Sequence, residues 1–180
     1  MANSEVKSKP AIRESRPGDL AWLELLYPAA FPEEDLLPLV RAMLTSSAEI
    51  LSLVAEREGA GAGHCLFTLG SIEGTGRKIA LLGPVGVDPN HQRCGIGSAM
   101  IAEGLKRLQA AKVKQVFVLG DPSYYSRFGF RPGAGVKPPY ELPQNWSDAW
   151  QTLPLGDGDV AEEGRLLLPE FWMRPELWAE

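Results

Sequence analysis

Between residues 51 and 111 the chain changes period once. Leu51–Glu56, Gly63–Leu69 and Lys78–Val87 are short apolar or alternating runs separated by glycine-bearing turns, which is how neighbouring antiparallel strands read. A loop then delivers the chain into Ser98–Ala111, where Ile101, Leu105 and Leu108 share one helical face and Glu103 stands four residues before Arg107 on another. A meander feeding one long helix excludes both a helical bundle and a regular alternation of strand and helix. It demands a sheet with a helix packed on it.

The flanks extend that pattern. Ile12–Ser15 predicts a short strand, followed by the turn Arg16-Pro17-Gly18 and by Asp19 as N-cap of a helix carrying Leu20, Leu23 and Leu26. Pro32 in a first turn, acidic Glu33 to Asp35, and Leu36, Leu39, Val40, Met43 and Leu44 at helical spacing predict a second helix, with Pro38 leaving its start open. Gln115–Leu119 reads as a buried strand running into a short helical segment at Ser123–Phe128, and a further strand starts near Phe130. Pro132–Pro154 is rich in proline and reads as ordered loop, and Arg165–Leu168 as a last strand. The expected fold class is therefore α+β, with a mixed, mostly antiparallel central sheet of six to seven strands flanked by helices.

Bulk properties narrow the function classes. With 180 residues, 44% of them hydrophobic and 23% charged, the expected organisation is a single domain over 11–180 behind a frayed segment, 1–10. A net charge of -5 argues against nucleic acid and anionic membrane as partners. Cys65 and Cys94, with His64 and His91, give neither a disulfide framework nor a metal-ligand spacing, so no metal is expected. Met1–Pro10 has no apolar core of a secretory signal and no apolar run reaches membrane-spanning length, so the expected location is cytoplasmic.

The chemistry concentrates in the loop Gln92–Ser98. The first backbone N–H groups of a helix have no internal partner and carry the positive end of its dipole, so an anion is stabilised there without a basic side chain. Glycine at 95 and 97 removes side chains that would hold phosphate oxygens off those amides, and Arg93 adds a charge-assisted contact. Glycines also serve turns and helix packing, so the Gly-x-Gly alone does not decide between the two. A dinucleotide fingerprint would need a third glycine where Met100 stands, and a phosphate-loop NTPase would need Gly-Lys-Ser or Gly-Lys-Thr, which is absent.

What remains, Gln92-Arg93-Cys94-Gly95-Ile96-Gly97, resembles the pyrophosphate motif of the GNAT superfamily of N-acetyltransferases. The resemblance extends back to Leu82-Gly83-Pro84-Val85-Gly86-Val87-Asp88-Pro89 and forward to Tyr125-Ser126-Arg127-Phe128-Gly129-Phe130, so it spans a motif-bearing core of 79–131. The family often has Gly then Arg where this chain has Arg93 then Cys94, and an Asn where it has Asp121 and Ser123. The resemblance implies acetyl-CoA as cosubstrate. Its pyrophosphate would lie on Gln92, Arg93, Cys94, Gly95, Ile96, Gly97 and Ser98, and its pantetheine on Val85, Gly86 and Val87, whose strand also supplies the oxyanion donor. Tyr125 would be the catalytic acid for the departing thiolate, with Tyr124 the competing choice.

The implied reaction is direct attack by a primary amine of a small molecule or peptide; the alternative is a non-catalytic acyl-CoA-binding regulatory domain. Candidates for the base are Glu56, His64, Glu73 and Asp88. Cys94 is read as present for size and Cys65 as core. Trp22, Trp146, Trp150 and Trp172 either line an aromatic cleft or fill the core, and the aromatics of the tail offer a surface for a homodimer.

Overall fold

The computed structural model describes residues 8–133, 135–158 and 160–179. Residues 1–7 of the expected frayed segment lie outside them. Strand β1 (Ala11–Glu14) precedes helices α1 (Leu20–Ala30) and α2 (Leu37–Thr45). The meander follows as β2 (Ile50–Arg57), β3 (Ala60–Ile72) and β4 (Lys78–Val87), then α3 (Ile96–Ala110), β5 (Gln115–Leu119) and α4 (Pro122–Tyr125). The remainder holds β6 (Arg131–Pro132), β7 (Val136–Lys137), β8 (Trp150–Pro154) and β9 (Gly164–Leu167).

All nine strands join one sheet, ordered β1-β2-β3-β4-β5-β8-β6, with β9 added beside the end of β3 and β7 beside β9. It is mixed and mostly antiparallel, as expected, and β6 and β7, of two residues each, account for the strands beyond the expected count. The parallel pairs are β4 with β5 and β7 with β9.

Neighbouring residues of the central strands feed different cores. Leu66, Ile79, Leu81 and Phe117 pack with α1, α2 and the C-terminal tail, whereas Cys65, Phe67, Ala80, Leu82, Val116 and Val118 pack under α3. Burial on both faces is why these strands read as continuous apolar runs. Cys65 is fully buried and its thiol is pushed up by desolvation, in keeping with a core residue.

Four expectations need correction. The second helix starts at Leu37, so the proline in its first turn is Pro38 and not Pro32. Asp19 precedes α1, but its carboxylate accepts from the Arg16 N–H (2.6 Å) and is paired with Arg13 (2.8 Å) in place of the amides of α1. The proline-rich stretch is not all loop: β8 pairs antiparallel with β5, from Gln115↔Pro154 to Leu119↔Trp150. Trp172 and Trp178, in the tail expected to offer a homodimer surface, are buried in the core. Among the described residues no helix is long and apolar enough to cross a membrane, and no group of metal-ligating side chains is found.

Candidate functional site

The site begins where two parallel strands part. Pairing between β4 and β5 stops at Leu82↔Val118, while β4 continues to Val87 and the Gly120 N–H turns away to the Ala149 carbonyl (2.9 Å). One edge of residues 83–87 therefore has no strand beside it. Along the other edge, the Asp88 N–H donates to the Ala62 carbonyl (2.9 Å), in line with the pairs Gly63↔Val87, His64↔Gly86 and Cys65↔Val85. Alternation in an antiparallel ladder then assigns the Gly86 backbone to His64 and turns the N–H and C=O groups of Val85 and Val87 toward the open edge. The Val87 carbonyl receives the Gln92 side chain (Nε2, 3.3 Å), which ties the following loop to the strand.

That loop ends at α3 with Gly95 as N-cap in the left-handed region, φ 78°. The first helical bond at this end is Ala99 N–H to Gly95 C=O (3.0 Å), so the amides of Gly95 to Ser98 are left for an anion. The two glycines serve different ends. A methyl group at Gly95 would meet nothing within 4 Å, so its glycine answers to the positive φ; one at Gly97 would stand 2.6 Å from the Tyr124 hydroxyl, so its glycine makes room for that side chain.

The two tyrosines project from α4, which Asp121 caps by accepting from Ser123 N–H and Ser123 Oγ (2.8 Å each). Tyr124 has its hydroxyl against Gly97 and the Arg127 guanidinium 4.4 Å over its ring. Tyr125 lies flat enough on Gly120 that a methyl group there would touch its ring (2.4 Å), and it packs edge-on to Phe130. Burial first, then Tyr124 and Cys65, raises the Tyr125 phenol above its ordinary value, so it is protonated at neutral pH.

Two clefts meet at this point. The first, about 460 Å³, runs along Val85 and Val87, past Gln92, Arg93 and the start of α3 from Gly95 to Ser98, and is closed by Phe31, Tyr124, Tyr125 and Arg127. The second, about 480 Å³, lies beyond the parting strands, between Leu36, Leu39, Leu81, Leu119, Trp146 and Trp172, with Glu34 and Glu176 as its charged residues. Phe31, Val85 and Tyr125 line both.

The residues singled out in the sequence thus converge, with two exceptions. Gly86 faces α1, where a methyl group would meet the Phe31 ring at 3.4 Å, and Cys94 turns its half-buried side chain to the core under α3. Neither lines the first cleft. Ala30, Phe31, His91 and Arg127 also line it but were not singled out: all four lie outside the motif loop, His91 reads as part of a turn, and Arg127 stands at a variable position of the tyrosine segment.

None of the base candidates lines either cleft. Glu56 is paired with Arg13 (2.7 Å), Glu73 is exposed beyond the far end of β3, and Asp88 caps the turn by accepting from the Asn90 N–H (2.8 Å). His64 is fully buried between the Tyr27 hydroxyl (2.7 Å from Nδ1) and Ser52 Oγ (2.8 Å from Nε2), and desolvation lowers its pKa to about 4. Of the tryptophans, Trp150 is core, Trp22 packs on Gly61, Trp146 lines the second cleft and Trp172 does both.

Known proteins match the same region. Residues 48–132 fit the family model described as an acetyltransferase (GNAT) domain. Over 115 residues the chain is 37% identical to Escherichia coli YjhQ, named an uncharacterized N-acetyltransferase; the match covers 61% of this chain and 64% of that relative's length. The crystal structure of a GNAT family acetyltransferase from Brucella melitensis in complex with acetyl-CoA superposes with a TM-score of 0.74 at 31% identity, covering 91% of this chain and 98% of that one. Escherichia coli YhbS in complex with CoA superposes at 0.83 with 25% identity, covering 96% and 97%. By these matches the chain belongs to the GNAT family of acetyltransferases.

Proposed function

We propose that the chain transfers the acetyl group of acetyl-CoA to a primary amine by direct attack, in the notch between β4 and β5. The observation that carries this reading is that Val85 and Tyr125 stand in both clefts. A thioester lying along the first cleft is then exposed, at that junction, to an amine in the second. Acetyl-CoA supplies the activated carbonyl; the protein supplies place and charge.

Amides at the head of α3 hold the pyrophosphate, with Arg93 and Arg127 lining the same cleft. The outward backbone groups of Val85 and Val87 align the pantetheine arm, and the Val85 N–H is the donor for charge developing on the thioester oxygen. Tyr125, held protonated, gives its hydroxyl hydrogen to the sulfur as the C–S bond breaks and the N–C bond forms. The proton lost by the amine goes to solvent water, and the Tyr125 phenolate takes one back from water, which restores the acid. On this reading residues 11–180 act as one domain, because the segment after Arg131 brings Trp146, Trp172 and Leu177 to the second cleft.

Tyr125→Phe keeps the ring and removes the proton. With an amine panel and thiol release as the readout, kcat is expected to fall about 100-fold or more while acetyl-CoA affinity stays within about threefold. Unchanged turnover would refute the acid role of Tyr125. Saturable acetyl-CoA binding by the unmodified protein with no thiol release on any amine would refute transfer and favour a regulatory binding domain.

A further inference from the structure

Resting on the transfer reading for which cleft takes the acceptor, we infer that the second cleft selects amines with an apolar body and no anionic group. Its walls are Leu36, Leu81, Trp146 and Trp172. The indole N–H of Trp172 is already given to Thr68 Oγ1 (3.0 Å) and that of Trp178 to the Trp172 carbonyl (2.9 Å), so both rings offer a ligand hydrocarbon and no donor. Against these rings, away from the acids and the Val85–Tyr125 junction, hydroxyl groups of a polar acceptor would lose water without regaining a partner.

The charge is one-sided. Glu34 and Glu176 are exposed acids among the lining residues, and among the described residues no Lys, Arg or His lines this cleft. Glu176 accepts from Arg174 (2.9 Å), a solvent-exposed pair that offsets part of its charge, which leaves Glu34 as the stronger pole. An ammonium is drawn to this mouth, whereas a carboxylate or phosphate on the acceptor would be desolvated beside acids, with Arg174 already given to Glu176 and no cation in the lining to meet it. The amine then sheds its proton before reaching the apolar junction of Phe31, Val85 and Tyr125.

Three probes separate these demands: 2-phenylethylamine, phenylalanine, which adds a carboxylate to the same body, and ethanolamine, which lacks the apolar body. Their equilibrium binding to the CoA-saturated protein is read by tryptophan fluorescence, and their acetylation by thiol release. Burying one aromatic ring predicts that 2-phenylethylamine binds about 30-fold or more tightly than ethanolamine, and the acidic mouth places phenylalanine with the weak binders. Trp146→Ala, at a half-buried position, is expected to cut the preference over ethanolamine to about fivefold with CoA affinity unchanged. Glu34→Gln is expected to weaken 2-phenylethylamine about two- to fourfold at low salt and not at high salt. Equal binding of the three probes, tighter binding of phenylalanine, no binding of any, or an unaltered preference in Trp146→Ala would each overturn the selection. Selective binding without thiol release would instead refute the transfer reading and leave the selection standing.

Discussion

Gly97 separates two physical reasons for a glycine in an anion loop. A methyl group there would sit 2.6 Å from the Tyr124 hydroxyl oxygen and 3.6 Å from a Val87 methyl, so the conflict is with one atom of one side chain. That atom is not free to swing: the Tyr124 ring is edge-on to Tyr125 (5.0 Å) and to Phe128 (5.7 Å), and lies beneath Arg127. Overpacking of this kind costs about 1–3 kcal/mol. Replacing glycine in a helix gains roughly 0.5–1 kcal/mol, so Gly97→Ala is expected to lose about 1–2 kcal/mol net.

Tyr124→Phe removes the offending oxygen, keeps the ring contacts, and alone should be near neutral. The double variant is expected to recover wild-type stability or slightly more, giving a coupling of about 1–2 kcal/mol in a double-mutant cycle measured by urea unfolding. Acetyl-CoA affinity should weaken several-fold in Gly97→Ala, through displacement of the cleft wall, and recover in the double variant. A Gly97→Ala protein as stable as wild type, or zero coupling, would refute the steric reasoning. Restored stability with affinity still lost would return Gly97 to the role of admitting the phosphate.

Gly95→Ala should behave oppositely, because it meets open space but keeps φ at 78°: a loss of about 1–2 kcal/mol is expected that Tyr124→Phe does not rescue, checked in the same unfolding series. The buried His64 predicts a pH dependence. Its folded pKa, about 4, lies below the ordinary 6.5, so the unfolded chain takes up a proton first as pH falls. Its contribution is therefore complete above about 6.5 and is lost between there and about 4, an effect on the order of 3 kcal/mol. Asp19, held below its ordinary range by Arg13 against its own desolvation, acts only at lower pH. Urea unfolding from pH 7.5 to 4.5 should show the decline in wild type and its absence in His64→Gln; a flat wild-type profile would contradict it.

Local order was legible wherever burial imposed a period. α3 buries i, i+4 positions, and the meander strands and β5, buried on both faces, read as short apolar runs between turn residues. β8 was hidden because it closes a proline-rich stretch, and because its buried Gln151 reads as polar although its Nε2 is satisfied by the Gly120 carbonyl (3.0 Å). The base candidates stand apart from both clefts for a related reason: Glu56, Asp88 and His64 look reactive as residue types, and only packing reveals the Arg13, Asn90 and Tyr27–Ser52 partners that occupy them.

The sequence by itself determined the loop, since a Gln-x-x-Gly-x-Gly segment between a strand and a helix exposes amides whatever surrounds it, and it placed Val85, Val87 and Tyr125 in order along the chain. Tertiary structure alone decided that Gly86 and Cys94 face away, that Tyr124 belongs to the helix head and Tyr125 to the junction, and that Glu34 and Glu176, from opposite ends of the chain, share one cleft. The physical reason is the early end of the β4–β5 ladder after Leu82↔Val118. Pro84, with no N–H to give, and the turn Gly120-Asp121-Pro122 mark where the ladder can end, but which clefts open there is set by α1, α4 and the C-terminal tail, far apart in the chain.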